Sequence, residues 1–360
     1  MTKKIKVALI GPVPPPAGGI ASWTLRMLSS DIAAKDIDFI HIDESVSAGR
    51  EIFGLEAKRS LPKELARCRR IWNDLENAII NESAELVHAN IPAAPLSMLR
   101  ELICAMIANR HNIPFVIHFR CTVPVYASNP IALFLLKSLL VRSSAVVVLN
   151  EASKVFVEKM TDTPVYLIPN FISSEELALA VKSAHSYNGS LSKVLYTGGI
   201  IESKGAYDIL EIAKAMPEIE FRLAGKGGFP VDAVIPKNIR ILGQLSRESI
   251  CAEYKEADAF IFLSRFRGEG FSNSLAEAMA FALPCIVSDW AANADMINPN
   301  GGIVVDYRNI NSVVQSLKYL NSPNHRREMG RANQKKVMEL YSEDVVMYQY
   351  LKLYRLLSGK

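Results

Sequence analysis

Glu269 and Glu277 stand eight residues apart in the stretch RFRGEGFSNSLAEAMAFALPCIVSD, residues 265–289. Glu269 lies in a loop between Gly268 and Gly270. Ser272, Asn273 and Ser274 follow as helix-capping residue types, and their position predicts a helix over 272–282. A helix that starts at the carboxyl edge of a sheet presents free backbone N–H groups and the positive end of its dipole. Such a terminus suits an anion, and a diphosphate in particular. Glu277, one turn into the helix, can accept hydrogen bonds from sugar hydroxyls. The spacing alone also fits an ordinary loop charge and a solvated helix charge, so the surrounding residues carry the argument.

Four further stretches hold chemistry-bearing residues. In TGGIIESKGAYDIL (197–210) a strand ends at Gly198-Gly199 and Lys204-Gly205 opens a helix; a lysine there can neutralise a departing diphosphate. In GPVPPPAGGIASWTLRML (11–28) the glycines Gly18 and Gly19 precede a helix and let a ligand come close to the backbone, although the dinucleotide spacing Gly-x-Gly-x-x-Gly is absent. IPFVIHFRCTVPV (113–125) is a buried strand that ends in His118-Phe119-Arg120-Cys121. His118 and Arg120 share one face of an extended strand, and either can point into a site. His118 fits a core histidine as well, whereas a charge at Arg120 needs a partner. Lastly, Arg59, Lys63, Arg67 and Arg70 recur at helical spacing, opposite the apolar stripe Leu61, Leu65, Cys68, Trp72, Leu75 and Ile79. That face can be simply solvated, or it can dock on an anionic membrane.

The elements that must position these residues are short apolar runs separated by segments of helical period. In the first half they are 6–11, 37–42, 85–90, 114–119, 145–150 and 165–170. In the second they are 193–199, 220–226, 239–244, 259–264, 285–289 and 302–306, with helices at about 205–215, 246–256 and 272–282. Strand–helix alternation with strands apolar on both faces predicts an α/β chain with parallel sheets covered on both sides. The expected organisation is a first doubly wound, Rossmann-like domain over 1–172, a linker over 173–192, a second such domain over 193–344, and a C-terminal helix over 345–360. Ligands of such folds sit beyond the carboxyl ends of the strands.

The 360 residues suit two domains. Half the residues are apolar, so disorder is excluded, and a net charge of +4 does not call for nucleic acid. The five cysteines, Cys68, Cys104, Cys121, Cys251 and Cys285, are scattered; they read as reduced thiols of a cytoplasmic protein, without structural zinc. The stretch 131–141 is interrupted by Lys137 and is too short to span a bilayer. Asp36-Ile37-Asp38 falls at the entry to a strand, the wrong end for a site, so no metal is expected.

Taken in order, these stretches resemble the retaining glycosyltransferases of family 4, enzymes of the GT-B architecture that use nucleotide sugars. The likeness rests on Glu269-Gly270-Phe271, Glu277-Ala278-Met279-Ala280 and Ala282-Leu283-Pro284, the last with Ala in place of the family's Gly. LVHAN (86–90), VYLIPNFI (165–172), FRLAGKGG (221–228), IRILGQL (239–245) and ADAFIFLS (257–264) follow the family order.

The resemblance implies two domains facing a cleft, with Glu277 on the donor ribose and Glu269 beside the transferred sugar. It implies donor contacts from Gly18, Gly19, Gly198, Gly199, Lys204, Gly225, Gly270, Phe271, Ser272, Asn273, Ser274 and Glu277, and catalytic positions at Glu269, Lys204, Arg120 and His118. It also implies that the C-terminal helix returns to the first domain. Two departures stand out. Gly199 occupies the family's Arg position, which leaves Arg267 as the candidate for the missing cation, and Arg120 occupies the position of its His. The implied activity is transfer of a hexose-type sugar from a UDP or GDP sugar, without a cofactor, to a hydroxyl of a glycan or lipid-linked glycan in bacterial surface polysaccharide synthesis. The expected location is the cytoplasm, at the inner face of its membrane. A catalytically weak partner subunit of the same fold and a nucleotide-sugar epimerase are the alternatives.

Overall fold

The structure, a computed structural model, describes residues 3–15, 18–45, 60–183, 185, 187–297 and 300–360. By contacts the chain divides into two compact units, Met1–Asn170 with Glu343–Lys360, and Phe171–Ser342.

The first unit runs β1 (Ile5–Gly11), α1 (Gly19–Leu28), α2 (Ala33–Asp36), β2 (Ile37–Asp43), α3 (Leu61–Ile80), β3 (Leu86–Ile91), α4 (Pro95–Arg110), β4 (Phe115–Phe119), α5 (Val123–Tyr126), α6 (Pro130–Leu140), β5 (Ala145–Val148), α7 (Glu151–Glu158) and β6 (Val165–Leu167). Its sheet is parallel, in the order β2-β1-β3-β4-β5-β6. β3, β4 and β5 are buried at every residue, as strands covered on both faces must be.

The second unit runs α8 (Ser174–Lys182), β7 (Lys193–Thr197), β8 (Glu220–Ala224), β9 (Ile239–Gly243), β10 (Ala259–Phe262), β11 (Cys285–Ser288) and β12 (Gly302–Val305). Its other helices are α9 (Asp208–Ala215), α10 (Arg247–Glu256), α11 (Asn273–Ala280), α12 (Asn293–Met296), α13 (Ile310–Tyr319) and α14 (Pro323–Lys336). Its sheet order is β12-β11-β10-β7-β8-β9, so consecutive connections reverse direction between β7 and β10. α15 (Glu343–Ser358) then completes the first unit.

All twelve expected strands form. The segment expected as a linker instead carries α8, opened by a capping box between Ser173 and Glu176, and it belongs to the second unit. Lys204-Gly205 does not open a helix. Lys204 ends a short 3-10 turn, Gly205 is left-handed at φ 76°, and α9 starts three residues later. A Cβ at Gly205 would lie 2.3 Å from the Leu263 carbonyl oxygen, which is why glycine stands there.

The basic stripe on α3 is largely spent on the fold. Arg67 donates to the Glu44 carbonyl (2.8 Å) and pairs with Glu64, and Arg70 donates to the Asp43 carbonyl, tying α3 to the end of β2. Lys63 is exposed, and Arg59 lies outside the described residues. The apolar stripe reaches the core only in its second half: Leu75 and Ile79 are buried, but Leu61 is 75% and Leu65 66% exposed. Nearby, two buried carboxylates, Glu44 and Glu101, share the Arg100 guanidinium. One cation cannot balance both, and burial pushes the Glu44 carboxyl up to about 7. Asp36 accepts from Arg355 of α15 at 2.9 Å.

Candidate active site

Ligands of doubly wound sheets bind where strand order reverses, beyond the carboxyl ends of the strands. In the second unit that point lies between β7 and β10, and the chemistry-bearing residues cluster there. Lys204, on the turn after β7, meets Glu269, on the loop after β10: Nζ donates to Oε2 at 2.7 Å. Ser264 Oγ donates to the same oxygen at 2.9 Å. The Lys204 ammonium also stands 4.6 Å from the Phe266 ring centre and 5.9 Å from that of Phe262, so aromatic faces back the cation. Both side chains are largely buried, at 17% and 9% exposure.

Glycines bring the loops together. A Cβ at Gly225 would lie 1.7 Å from the Gly198 carbonyl oxygen, and Gly225 and Gly198 have φ values of 151° and 154°. The ladder between β7 and β8 thus continues past the strands, with Ile200 N donating to the Lys226 carbonyl (2.7 Å) and Gly228 N to that of Ile200 (3.0 Å). Gly199 is buried, and the Tyr196 hydroxyl donates to its carbonyl at 2.7 Å.

α11 begins as expected. Ser272 caps it by accepting from Leu275 N (3.3 Å), with Ser274 Oγ beside it at 3.3 Å. Gly270 and Ser272 are buried, as is Phe271, which packs edge-on against Tyr341; Asn273 and Ser274 are half-buried. One turn in, Glu277 is held at both oxygens. Tyr254 donates to Oε2 at 3.2 Å, and Arg247, which also pairs with Glu176, lies 3.2 Å from Oε1. The Tyr254 hydroxyl also bonds Thr197 Oγ1 at 2.8 Å, which links Glu277 to the end of β7. Arg267 is exposed on the loop two residues before Glu269. Arg265 is committed elsewhere, to Asp208, Glu202 and the Tyr307 ring, beside a cavity of 390 Å³ that those residues line.

The first unit holds its candidates differently. His118 and Arg120 are buried, at 0% and 6% exposure, in a chain that the sequence did not reveal. Arg120 lies 3.2 Å from His118 Nε2; His118 Nδ1 lies 3.2 Å from His88 Nε2; and His88 Nδ1 meets the Tyr354 hydroxyl of α15. A guanidinium can only donate, so His118 Nε2 must accept. The proton then sits on Nδ1 of His118, which donates to His88 Nε2, and the same logic places a proton on His88 Nδ1. Both rings are therefore neutral, because a further proton would set donor against donor. Burial, then the Arg120 charge, pulls His88 down to about 3 and His118 well below the usual histidine range. Trp23 closes the cluster, edge-on to His118 and 4.5 Å under the Arg120 guanidinium, whose second nitrogen donates to Asn170 at 2.6 Å. Burial lowers Arg120 to about 10. His118 is thus a satisfied core histidine.

Gly18 caps α1 in extended conformation without a side-chain bond, and a Cβ at Gly18 or Gly19 would meet nothing within 4 Å. No packing among the described residues demands glycine at either position.

Residues 192–322 match the family described as Glycosyl transferases group 1, and this stretch contains Lys204, Glu269, Glu277 and the start of α11. No curated protein matches the chain. Solved structures do. The sucrose-phosphate synthase of Thermosynechococcus elongatus is 17% identical, with a TM-score of 0.76 over 99% of this chain and 100% of that one. A glycosyltransferase from Rickettsia africae is 16% identical, at 0.71 over 98% of each chain. HepE of Anabaena, in complex with UDP and glucose, is 12% identical, at 0.67 over 97% of this chain and 99% of that one. The fold is the GT-B fold that these proteins share, and residues 192–322 of the second unit are similar to group 1 glycosyl transferases.

Proposed function

We propose that the protein is a retaining glycosyltransferase that moves a hexose-type sugar from a nucleoside diphosphate sugar to an acceptor hydroxyl. The observation that carries this reading is the convergence of Lys204, Glu269 and the start of α11 at the strand reversal of the second sheet. A cation, a carboxylate and a helix N-terminus within one loop cluster form a site for a sugar diphosphate. Glu277, positioned by Tyr254 and Arg247, is the group for the ribose hydroxyls. The UDP held by Anabaena HepE makes uridine donors the first to test, ahead of guanosine donors.

In this reading the bond from the anomeric carbon to the diphosphate breaks, and its electron pair leaves on the diphosphate. Lys204 and the amides at the start of α11 stabilise that charge. The acceptor oxygen bonds the anomeric carbon on the same face, and its proton passes to the departing diphosphate. No step calls on a metal ion. A glycan or lipid-linked glycan of a bacterial surface polysaccharide is the acceptor class proposed. Gly199, buried at the position where the family resemblance implies an Arg, favours one competing reading, a partner subunit that binds nucleotide sugar without turning it over.

Thermal shift against UDP, GDP and their sugar conjugates tests the donor site. A ligand at 100 times its Kd adds about 2.7 kcal/mol to the unit that binds it. A shift for one base that Glu277→Ala abolishes is the expected result. Hydrolysis of the same sugar conjugate, lost in Glu269→Ala, separates the enzyme from the partner subunit. An absence of any nucleotide shift refutes the donor site.

A further inference from the structure

We propose that the first unit docks on an anionic membrane surface through the outer faces of α4 and α6. α4 is apolar nearly all round. Its inner face is buried, yet Leu96, Leu99 and Met106 are 65%, 46% and 48% exposed, with Ile103 half-buried between them. The spacing 96, 99, 103, 106 is that of a single helical stripe. α6 packs against α4 and repeats the pattern, with Ile131, Phe134 and the following Val141 at 70%, 69% and 74% exposure. A helix with an apolar stripe on each side expects a partner on each side. The sheet covers one side, and among the described residues no part of the chain covers the other.

Charge selects the occupant. The charged residues on the outer side of this pair are Arg110, Lys137 and Arg142, all exposed. α6 has no acidic residue, and the one on α4, Glu101, is buried against Arg100. Apolar side chains bordered by cations match the acyl and headgroup layers of an anionic bilayer. A two-fold pairing of two copies would set these cations against each other. This surface differs from the basic stripe of α3, whose Arg67 and Arg70 are bound to β2. The inference concerns the first unit alone and stands whether or not the chain transfers a sugar.

Flotation of the full-length protein with phosphatidylcholine vesicles, with and without phosphatidylglycerol, tests it. The expected result is binding to the anionic vesicles, weakened at high salt. Lys137→Gln and Arg142→Gln should each weaken it about fivefold, and Phe134→Glu with Leu99→Glu should abolish it. These positions are exposed, and circular dichroism checks that the fold survives. In a Phe134→Trp variant, a blue-shifted emission on adding anionic vesicles reports insertion of that residue. Failure to float with any vesicle overturns the proposal, as does binding that ignores Phe134 and Leu99. A concentration-dependent dimer that Phe134→Glu dissolves also overturns it, in favour of a second copy of the chain.

Discussion

Replacing Lys204 by Met should destabilise the second unit, and the loss should fall to about a third when Glu269 is Gln. At 2.7 Å the two charges attract by about 6 kcal/mol at an effective dielectric near 20. Desolvation of both groups offsets much of this, and stripping one partner from a buried pair costs about 3–5 kcal/mol. Some exposure remains at Lys204, so the lower end applies and Lys204→Met should cost about 3 kcal/mol. A double-mutant cycle should give a coupling energy of about 2 kcal/mol. The assay is urea unfolding followed by fluorine NMR of the protein labelled with fluorotryptophan. Of the three tryptophans, Trp290 reports the second unit, since its indole N–H donates to the Phe266 carbonyl in the site loop at 2.8 Å. Following one unit avoids treating a two-unit chain as a single transition. A coupling below about 0.5 kcal/mol would refute the view that the site holds its cation in place before a donor arrives.

Other outcomes can be measured alongside. His88 and His118 bind fewer protons in the folded state than in the unfolded state, so the first unit should lose stability as pH falls below about 6.5. The loss is up to about 2 kcal/mol per imidazole by pH 5. Glu44 acts in the opposite sense: its folded carboxyl holds a proton up to about pH 7, which adds stability as pH falls. Glu44→Gln should therefore steepen the acid loss seen by urea titration at several pH values. Gly225→Ala should cost more than about 2 kcal/mol in the second unit, because its Cβ would strike the Gly198 carbonyl at a φ of 151°. Gly18→Ala should leave the melting temperature unchanged and weaken donor binding by calorimetry, if a diphosphate approaches that backbone. Tyr254→Phe should weaken UDP binding about tenfold by removing one hydrogen bond that positions Glu277.

Strands were the most legible part of the sequence. Each is a short apolar run, and the central ones are buried on both faces, a pattern that survives whatever packs around it. Glu269, Glu277 and the cap at Ser272 were legible because they lie within one strand–loop–helix unit. The pairing of Lys204 with Glu269, 65 residues apart, depends on strand order, which no local spacing encodes. The chain from Arg120 to Tyr354 was hidden for the same reason: its members come from β3, β4 and α15. A faint signal existed in His88 and Tyr354, polar groups on otherwise apolar stretches. The α3 stripe misled at Leu61 and Leu65 because periodicity shows that a face is apolar and not what covers it.

The first unit is interrupted in sequence and the second is not. A ribosome therefore delivers all of Phe171–Ser342 before it delivers the helix that supplies Tyr350 and Tyr354. Until that helix emerges, Trp23 and His88 lack their neighbours, and the His88 Nδ1–H has water in place of Tyr354. Vectorial synthesis usually favours the earlier domain; here the later domain can close first while the earlier one waits, unfinished, for its last helix. Premature termination within that helix would thus harm the half of the protein that was made first.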